Sequence, residues 1–202
     1  MSTLKTPFRY DFVGSFLRPQ ILKDSKEKLK NGEIQKDEYD KIVNEELGFH
    51  AITDGEFRRT FWHLDFMWGF EGVEHEDTGN GVKFDAELAK LDDTYLVGKI
   101  KAKAHPFVEY FKFLKQFEDE NTVAKYTIPA PAQTFQQFIV PNNIEGTRKF
   151  YADNDELIKD IAAAYSDVIK QFYDAGCRNL QLDDCTWGMV VDPSAPVLFG
   201  TT

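Results

Sequence analysis

The sequence is short of cysteine, histidine, positive charge and long apolar runs. Each shortage removes a class of protein. Two cysteines, Cys177 and Cys185, cannot build a disulfide framework, and they point to a reducing compartment. There are four histidines and no CxxC, HxC or HExxH spacing, so no recognisable zinc motif is present. Acidic residues outnumber basic ones by 34 to 24, which gives a net charge of -10 and a pI near 4.9. That balance argues against nucleic acid or an anionic membrane as partner. No stretch approaches the roughly 18 apolar residues of a membrane span. Met1 to Tyr10 lacks the apolar segment of a signal peptide. A cytoplasmic protein with neither membrane nor nucleic-acid partner is expected.

What is present is enough for a core. The chain has 202 residues, 42% of them hydrophobic, with 18 Phe, 8 Tyr and 3 Trp. A single domain over residues 1–202 follows. Phe12 to Phe16 reads as a first strand, and Pro19 then suits the first turn of a helix carrying Ile21, Leu22, Ser25 and Leu29. Asn31-Gly32 stops it. A second helix is expected over Asp37–Leu47, and a second strand over Phe49–Thr53. Glu71 to Lys83 is polar and glycine-rich, an excursion of hairpin type.

Tyr95–Ile100 is the third strand candidate. Pro106 opens a helix with Phe107, Val108, Phe111, Leu114 and Phe117. Val123–Ile128 is the fourth strand, and Pro129-Ala130-Pro131 predicts a stiff loop that ends ladder pairing. A short helix over Gln133–Val140 follows. Asp153, with Glu156 three residues on, predicts an N-cap. The helix behind it runs about five turns, from Leu157 to Tyr173, and Gly176 ends it. Asn179–Leu182 is the fifth strand. Alternating strands and helices imply an α/β fold with parallel pairing.

In such a fold the C-terminal ends of all strands face one side, and chemistry gathers there. Four exits carry notable residues: Gly14-Ser15, Asp54-Gly55-Glu56, Pro129-Ala130-Pro131 and Asp183-Asp184. Taken alone, each also reads as an ordinary turn or helix cap. Arg58 and Arg59 follow Glu56 and are placed either to pair with these acids or to grip an anionic group. His63 and His105 are isolated. Cys177 reads as buried and inert, and Cys185 as a partly buried spectator.

Three motifs in order carry a family resemblance. They are Val13-Gly14-Ser15-Phe16-Leu17-Arg18-Pro19, Ile52-Thr53-Asp54-Gly55-Glu56-Phe57-Arg58-Arg59 and Leu180-Gln181-Leu182-Asp183-Asp184. Together they resemble the catalytic barrel of cobalamin-independent methionine synthase, in its shorter single-barrel form. The resemblance implies a (β/α)8 TIM-type barrel, of which this chain would be an incomplete, N-terminal portion of about five β/α units. It implies methyl transfer from a methyl-folate, or another donor, to an amino-acid thiol such as homocysteine. Zinc would lower the pKa of that thiol. Gly14 and Ser15 would lie along the amino acid, while Glu56 and Asp183 would face its ammonium group. Arg18, Arg58 and Asp184 form a second rank of candidates.

The family's zinc ligands, a His-x-Cys motif and a late Cys, are absent from this sequence. No metal ligand is therefore assigned in it, and the chain alone is expected not to transfer methyl groups. An incomplete barrel would expose its first and fifth strands, so a homo-oligomer, or cover by the tail Trp187–Thr202 with its Pro193 and Pro196, is expected. Two other readings remain. One is a non-catalytic barrel that keeps an amino-acid pocket. The other is a hydrolase using Glu56 and Asp183 on a sugar.

Overall fold

The computed structural model describes residues 20–35, 38–39, 51–77, 81–83, 88–90, 92–120 and 122–191. In chain order the elements are α1 (Gln20–Lys30), β1 (Ala51–Ile52), α2 (Leu64–Met67), β2 (Glu71–Glu76), β3 (Gly81–Lys83), β4 (Leu88–Lys90) and β5 (Asp93–Lys101). They continue with α3 (Pro106–Lys115), β6 (Val123–Ala124), β7 (Tyr126–Pro129), α4 (Pro131–Ile139), α5 (Pro141–Thr147), α6 (Asn154–Asp174), β8 (Leu180–Asp183) and α7 (Trp187–Val190). The expected strand Phe12–Phe16, and with it Gly14, Ser15 and Arg18, lies outside the described residues, as does most of the expected helix Asp37–Leu47.

Two strand systems form, and they differ in kind. β1 pairs in parallel with β6, and β7 pairs in parallel with β8. Only Lys125 separates β6 from β7, and its N–H donates to the Ile52 carbonyl at 2.8 Å. The next N–H, of Tyr126, donates the other way, to Asn179 at 3.0 Å. The run from Val123 to Pro129 therefore carries β1 on one flank and β8 on the other. All three segments point the same way, so their C-terminal ends share one edge. Among the described residues no barrel closes, and β8 carries no further strand. Leu182 stands exposed on it.

The second system corrects the expectation of parallel pairing throughout. Tyr95–Ile100 lies within β5, which pairs antiparallel with β2. The reason is visible in its burial: Thr94, Leu96 and Ile100 point inward while their neighbours face out. That alternation suits a half-covered antiparallel ribbon rather than a strand buried on both faces. β3 and β4 form a further antiparallel pair, so the polar excursion is indeed a hairpin region. The proline loop is corrected too. Pro129 is the last residue of β7, paired with Asp183, and Ala130 N–H still donates to the Asp183 carbonyl at 2.7 Å. Pro131 occupies the first turn of α4, where a missing N–H costs nothing.

The helices pack aromatic rings against the parallel strands. α6 begins at Asp153, whose side chain accepts from Glu156 N–H at 2.9 Å, and buries Leu157, Ile161, Tyr165, Val168 and Phe172. It ends at Gly176, with φ at 93°, a left-handed geometry that glycine adopts without steric cost. Tyr126 of β7 meets Phe172 and Phe111 at 5.4 and 6.1 Å between ring centres. Burying each such ring contributes about 1.5–3 kcal/mol.

His105 caps α3. Its Nδ1 accepts from Phe107 N–H at 3.3 Å, which leaves Nε2 to donate to the Phe66 carbonyl at 2.9 Å. A Cβ on Gly69 would lie 2.1 Å from that Nε2, so only glycine leaves the ring its room. Burial first, with Lys103 and Arg59 in the same sense, lowers the His105 pKa from 6.5 to about 4, against the Phe66 carbonyl. Burial alone takes His63 to about 4 as well. Both rings are neutral in the folded protein. Above pH 6.5 neither the folded nor the unfolded chain takes these protons. As pH falls from 6.5 toward 4, the unfolded chain binds them first. Stability should then drop by about 1.4 kcal/mol per pH unit for each histidine. Urea unfolding should show a decline that starts near pH 6.5, above the carboxylate range. A flat profile from pH 7 to 5 would contradict it.

Candidate functional site

The site begins where β1 leaves the sheet. Thr53 and Asp54 turn the chain with their own side chains. Thr53 Oγ1 accepts from Gly55 N–H at 3.1 Å, and Asp54 Oδ1 accepts from Glu56 N–H at 2.9 Å. Gly55 and Glu56 both take left-handed backbone, with φ at 59° and 58°. For glycine this is free. For Glu56 it costs roughly 1–2 kcal/mol. Glycine or asparagine would take that shape at lower cost.

Arg59 completes the turn. It is 1% exposed, and its guanidinium lies over Phe107 and Tyr126, 4.6 and 5.2 Å from the ring centres. Nη1 donates to Glu56 Oε1 at 3.1 Å and to the Trp62 carbonyl at 3.3 Å. Nη2 donates to the Thr127 carbonyl at 2.6 Å and lies 3.2 Å from its hydroxyl. Residues 125 and 127 direct their backbone groups toward β1, but β1 has already ended. The Arg59 fork thus supplies the donor that a longer β1 would have given Thr127. Thr127 Oγ1 donates in turn to Glu56 Oε1 at 2.9 Å.

The charges here reinforce one another. Burial works to lower the Arg59 pKa, but the carboxylates of Asp54 and Glu56 act against it and the pKa is raised. Burial, and then Asp54, push the Tyr126 hydroxyl well above its usual value. Asp54 Oδ2 and that hydroxyl lie near each other without a hydrogen bond of normal geometry.

Asp183 ends β8 and is half-buried. Its Oδ1 accepts from the Gln181 side-chain amide. Register pairs Thr127 with Gln181 and Pro129 with Asp183, so all four side chains lie on one face of the strands. Glu56 bonds Thr127 on that face. Glu56 and Asp183 therefore share one edge and one face, with only β7 between them. The buried Lys125 lies two residues before Thr127, on the same side of its strand.

The remaining candidates separate from this pair. Arg58 turns to α3, with its guanidinium 4.6 Å from the Phe113 ring centre and 5.8 Å from that of Tyr110. Asp184 is exposed and accepts from Thr186 N–H and hydroxyl at 2.8 and 2.6 Å, a capping role. Cys185 is exposed rather than partly buried, and its sulfur lies 3.0 Å from the Gln133 side-chain amide. Cys177 is buried, and burial first raises its pKa, which keeps it a thiol. Arg59, Asp54 and Thr127 are the residues that sequence reasoning under-weighted. Only Arg58 is ranked among the candidates, because spacing alone does not separate two adjacent arginines.

Among the described residues no three His, Cys, Asp or Glu side chains converge on a point that could hold a metal ion. The two cysteines lie at opposite ends of β8, and His105 is committed to its helix cap. These donors do not fit zinc. Nor is any helix among the described residues long and apolar enough to cross a membrane.

No protein-family model matches the sequence. The uncharacterized protein YxjH of Bacillus subtilis strain 168 is 36% identical over 195 residues, covering 92% of this chain and 50% of that protein. The methionine synthase of Saccharolobus solfataricus is 24% identical over 201 residues, covering 88% of this chain and 55% of its own length. A solved structure from Listeria monocytogenes, of a protein provisionally named a vitamin-B12 independent methionine synthase, aligns with a TM-score of 0.70. It is 35% identical and covers 94% of this chain and 56% of that one. The chain spans about half the length of the curated relatives it matches.

The two arginines are predicted to differ sharply. Arg59→Met takes the guanidinium from a buried carboxylate and from the Thr127 carbonyl and should cost about 3–5 kcal/mol. Arg58→Met, which loses ring contacts, should cost under about 2 kcal/mol. Guanidinium unfolding of both variants checks the order, and equal losses would refute it.

Proposed function

We propose that this chain forms the amino-acid-holding part of a methyl-transfer protein of the cobalamin-independent methionine synthase type. In this reading the parallel strands are the front part of a (β/α)8 barrel. Glu56 and Asp183 face the ammonium of a thiol amino acid such as homocysteine, or of the methylated product. Gly14 and Ser15 would lie along the rest of it. The observation that carries the reading is the placement of Glu56 and Asp183, 127 residues apart in sequence, on one face of one strand edge. The likeness to the Listeria structure supports it.

Two carboxylates suit an ammonium chemically. Each charge-assisted hydrogen bond is stronger than a neutral one, and the ligand's charge offsets their mutual repulsion. The acids bind and orient; the reacting atom is the ligand's sulfur. A methyl-folate or another donor would meet it from outside this group. In the intact type, zinc would make the thiol a thiolate. The donors described here do not form such a site, so no step is assigned to a metal.

Calorimetry with methionine and homocysteine, each with and without zinc, tests the proposal. Methionine should bind in both conditions. Glu56→Gln and Asp183→Asn should each weaken it about 10-fold or more, the worth of a hydrogen bond to a charged group. The purified protein should form no methionine from homocysteine and a methyl donor. Absence of amino-acid binding would reject the pocket, and zinc-dependent methionine formation would reject the division of labour.

A further inference from the structure

We infer that Arg59 and Thr127 act as positioning residues, aiming the Glu56 carboxylate at the ligand's amino group without touching the ligand themselves. The inference rests on the amino-acid reading above and adds what makes that recognition selective.

A glutamate has three rotatable side-chain bonds, and fixing them costs about 1.5–2 kcal/mol of rotamer entropy. A carboxylate left to find its ligand would pay that on binding. Here it is already fixed. Oε1 accepts from Arg59 Nη1 at 3.1 Å and from Thr127 Oγ1 at 2.9 Å. The strained backbone at Glu56, with φ at 58°, sets where the side chain leaves the turn. Arg59 is itself unable to swing. It is clasped by Phe107 and Tyr126 and bonded to the Trp62 and Thr127 carbonyls.

The second carboxylate is held by the same device. Gln181, the residue paired with Thr127 across the strands, donates its side-chain amide to Asp183. Two paired residues, one on each strand, thus fix one acid apiece. Strand register fixes Asp183 and the Thr127 that Glu56 meets, and the turn fixes where Glu56 leaves the chain. Holding charges in place before the ligand arrives favours a ligand whose cation fits their spacing.

The structural alternative is that Arg59 only completes β1. The two roles separate by ligand chemistry. Methionine and its des-amino analogue, 4-(methylthio)butanoate, differ in the ammonium group alone. Calorimetry on the full 202-residue protein, with the fold checked by circular dichroism, gives the ratio of their affinities. Wild type should prefer methionine at least 10-fold. Arg59→Lys keeps the charge but loses the fork, and Thr127→Val keeps the shape but loses the hydroxyl. Each should cut the preference about 10-fold, and Thr127→Ser should restore it. If Arg59→Lys does not fold, the Thr127 pair carries the test. Folded variants that keep the wild-type preference, or that lose both ligands alike, would overturn the positioning role. A wild type with no preference would reject the amino-acid reading and this inference with it.

Discussion

A single guanidinium supports most of what this molecule builds at its strand edge. β1 is two residues long, and the strand beside it goes on. Such a mismatch would leave the Thr127 carbonyl buried without a donor, at a cost of about 1–3 kcal/mol. Arg59 reaches back from the turn and supplies the donor. By doing so it draws the turn over the sheet and places Glu56 on the face that Asp183 also occupies. The turn's glycine, its Asp54 cap and the left-handed Glu56 all follow from having to bring Arg59 to that carbonyl within four residues of Gly55.

The surroundings explain why a buried cation can stay there. A guanidinium is weakly hydrated and stacks on aromatic faces, which a lysine does poorly. Phe107 and Tyr126 give it those faces, and both belong to the ring cluster that α3 and α6 press against the strands. His105 starts α3 at the right place by capping it and by holding the Phe66 carbonyl. The core, the cap and the ion pair are therefore one connected structure.

Much of this was legible in the sequence, and the failures have physical causes. The long helix behind Asp153 was readable because its cap and its 3.6-residue period agree. The parallel strands that lead to Asp54 and end at Asp183 were readable because apolar runs give way to acids there. β5 was misread as a parallel strand. Two of its outward positions, Tyr95 and Val97, are apolar, so the sequence shows a continuous apolar run where the structure alternates. Asp184 was correctly suspected of capping, since an Asp two residues before a Thr can bond its backbone. The preference for Arg58 over Arg59 had no basis in pattern. Adjacent residues on a turn leave in different directions, and only the fold decides which one meets the acid.

The resemblance to methionine synthase rests on three ordered motifs, and two of them now have a place in space. Ile52–Arg59 and Leu180–Asp184 meet across β7, and the first motif, with Gly14 and Ser15, lies outside the described residues. What the two placed motifs bring together is a pair of carboxylates on one strand edge, each bonded by neighbouring side chains, which the proposed reading takes as a holder for an ammonium group. A crystal structure of this protein with methionine bound tests that most directly. The account predicts the ligand's ammonium between the Glu56 and Asp183 carboxylates, with Arg59 still on Glu56 and the Thr127 carbonyl. Methionine bound with its ammonium elsewhere, or Arg59 swung out to the ligand's carboxylate, would contradict it.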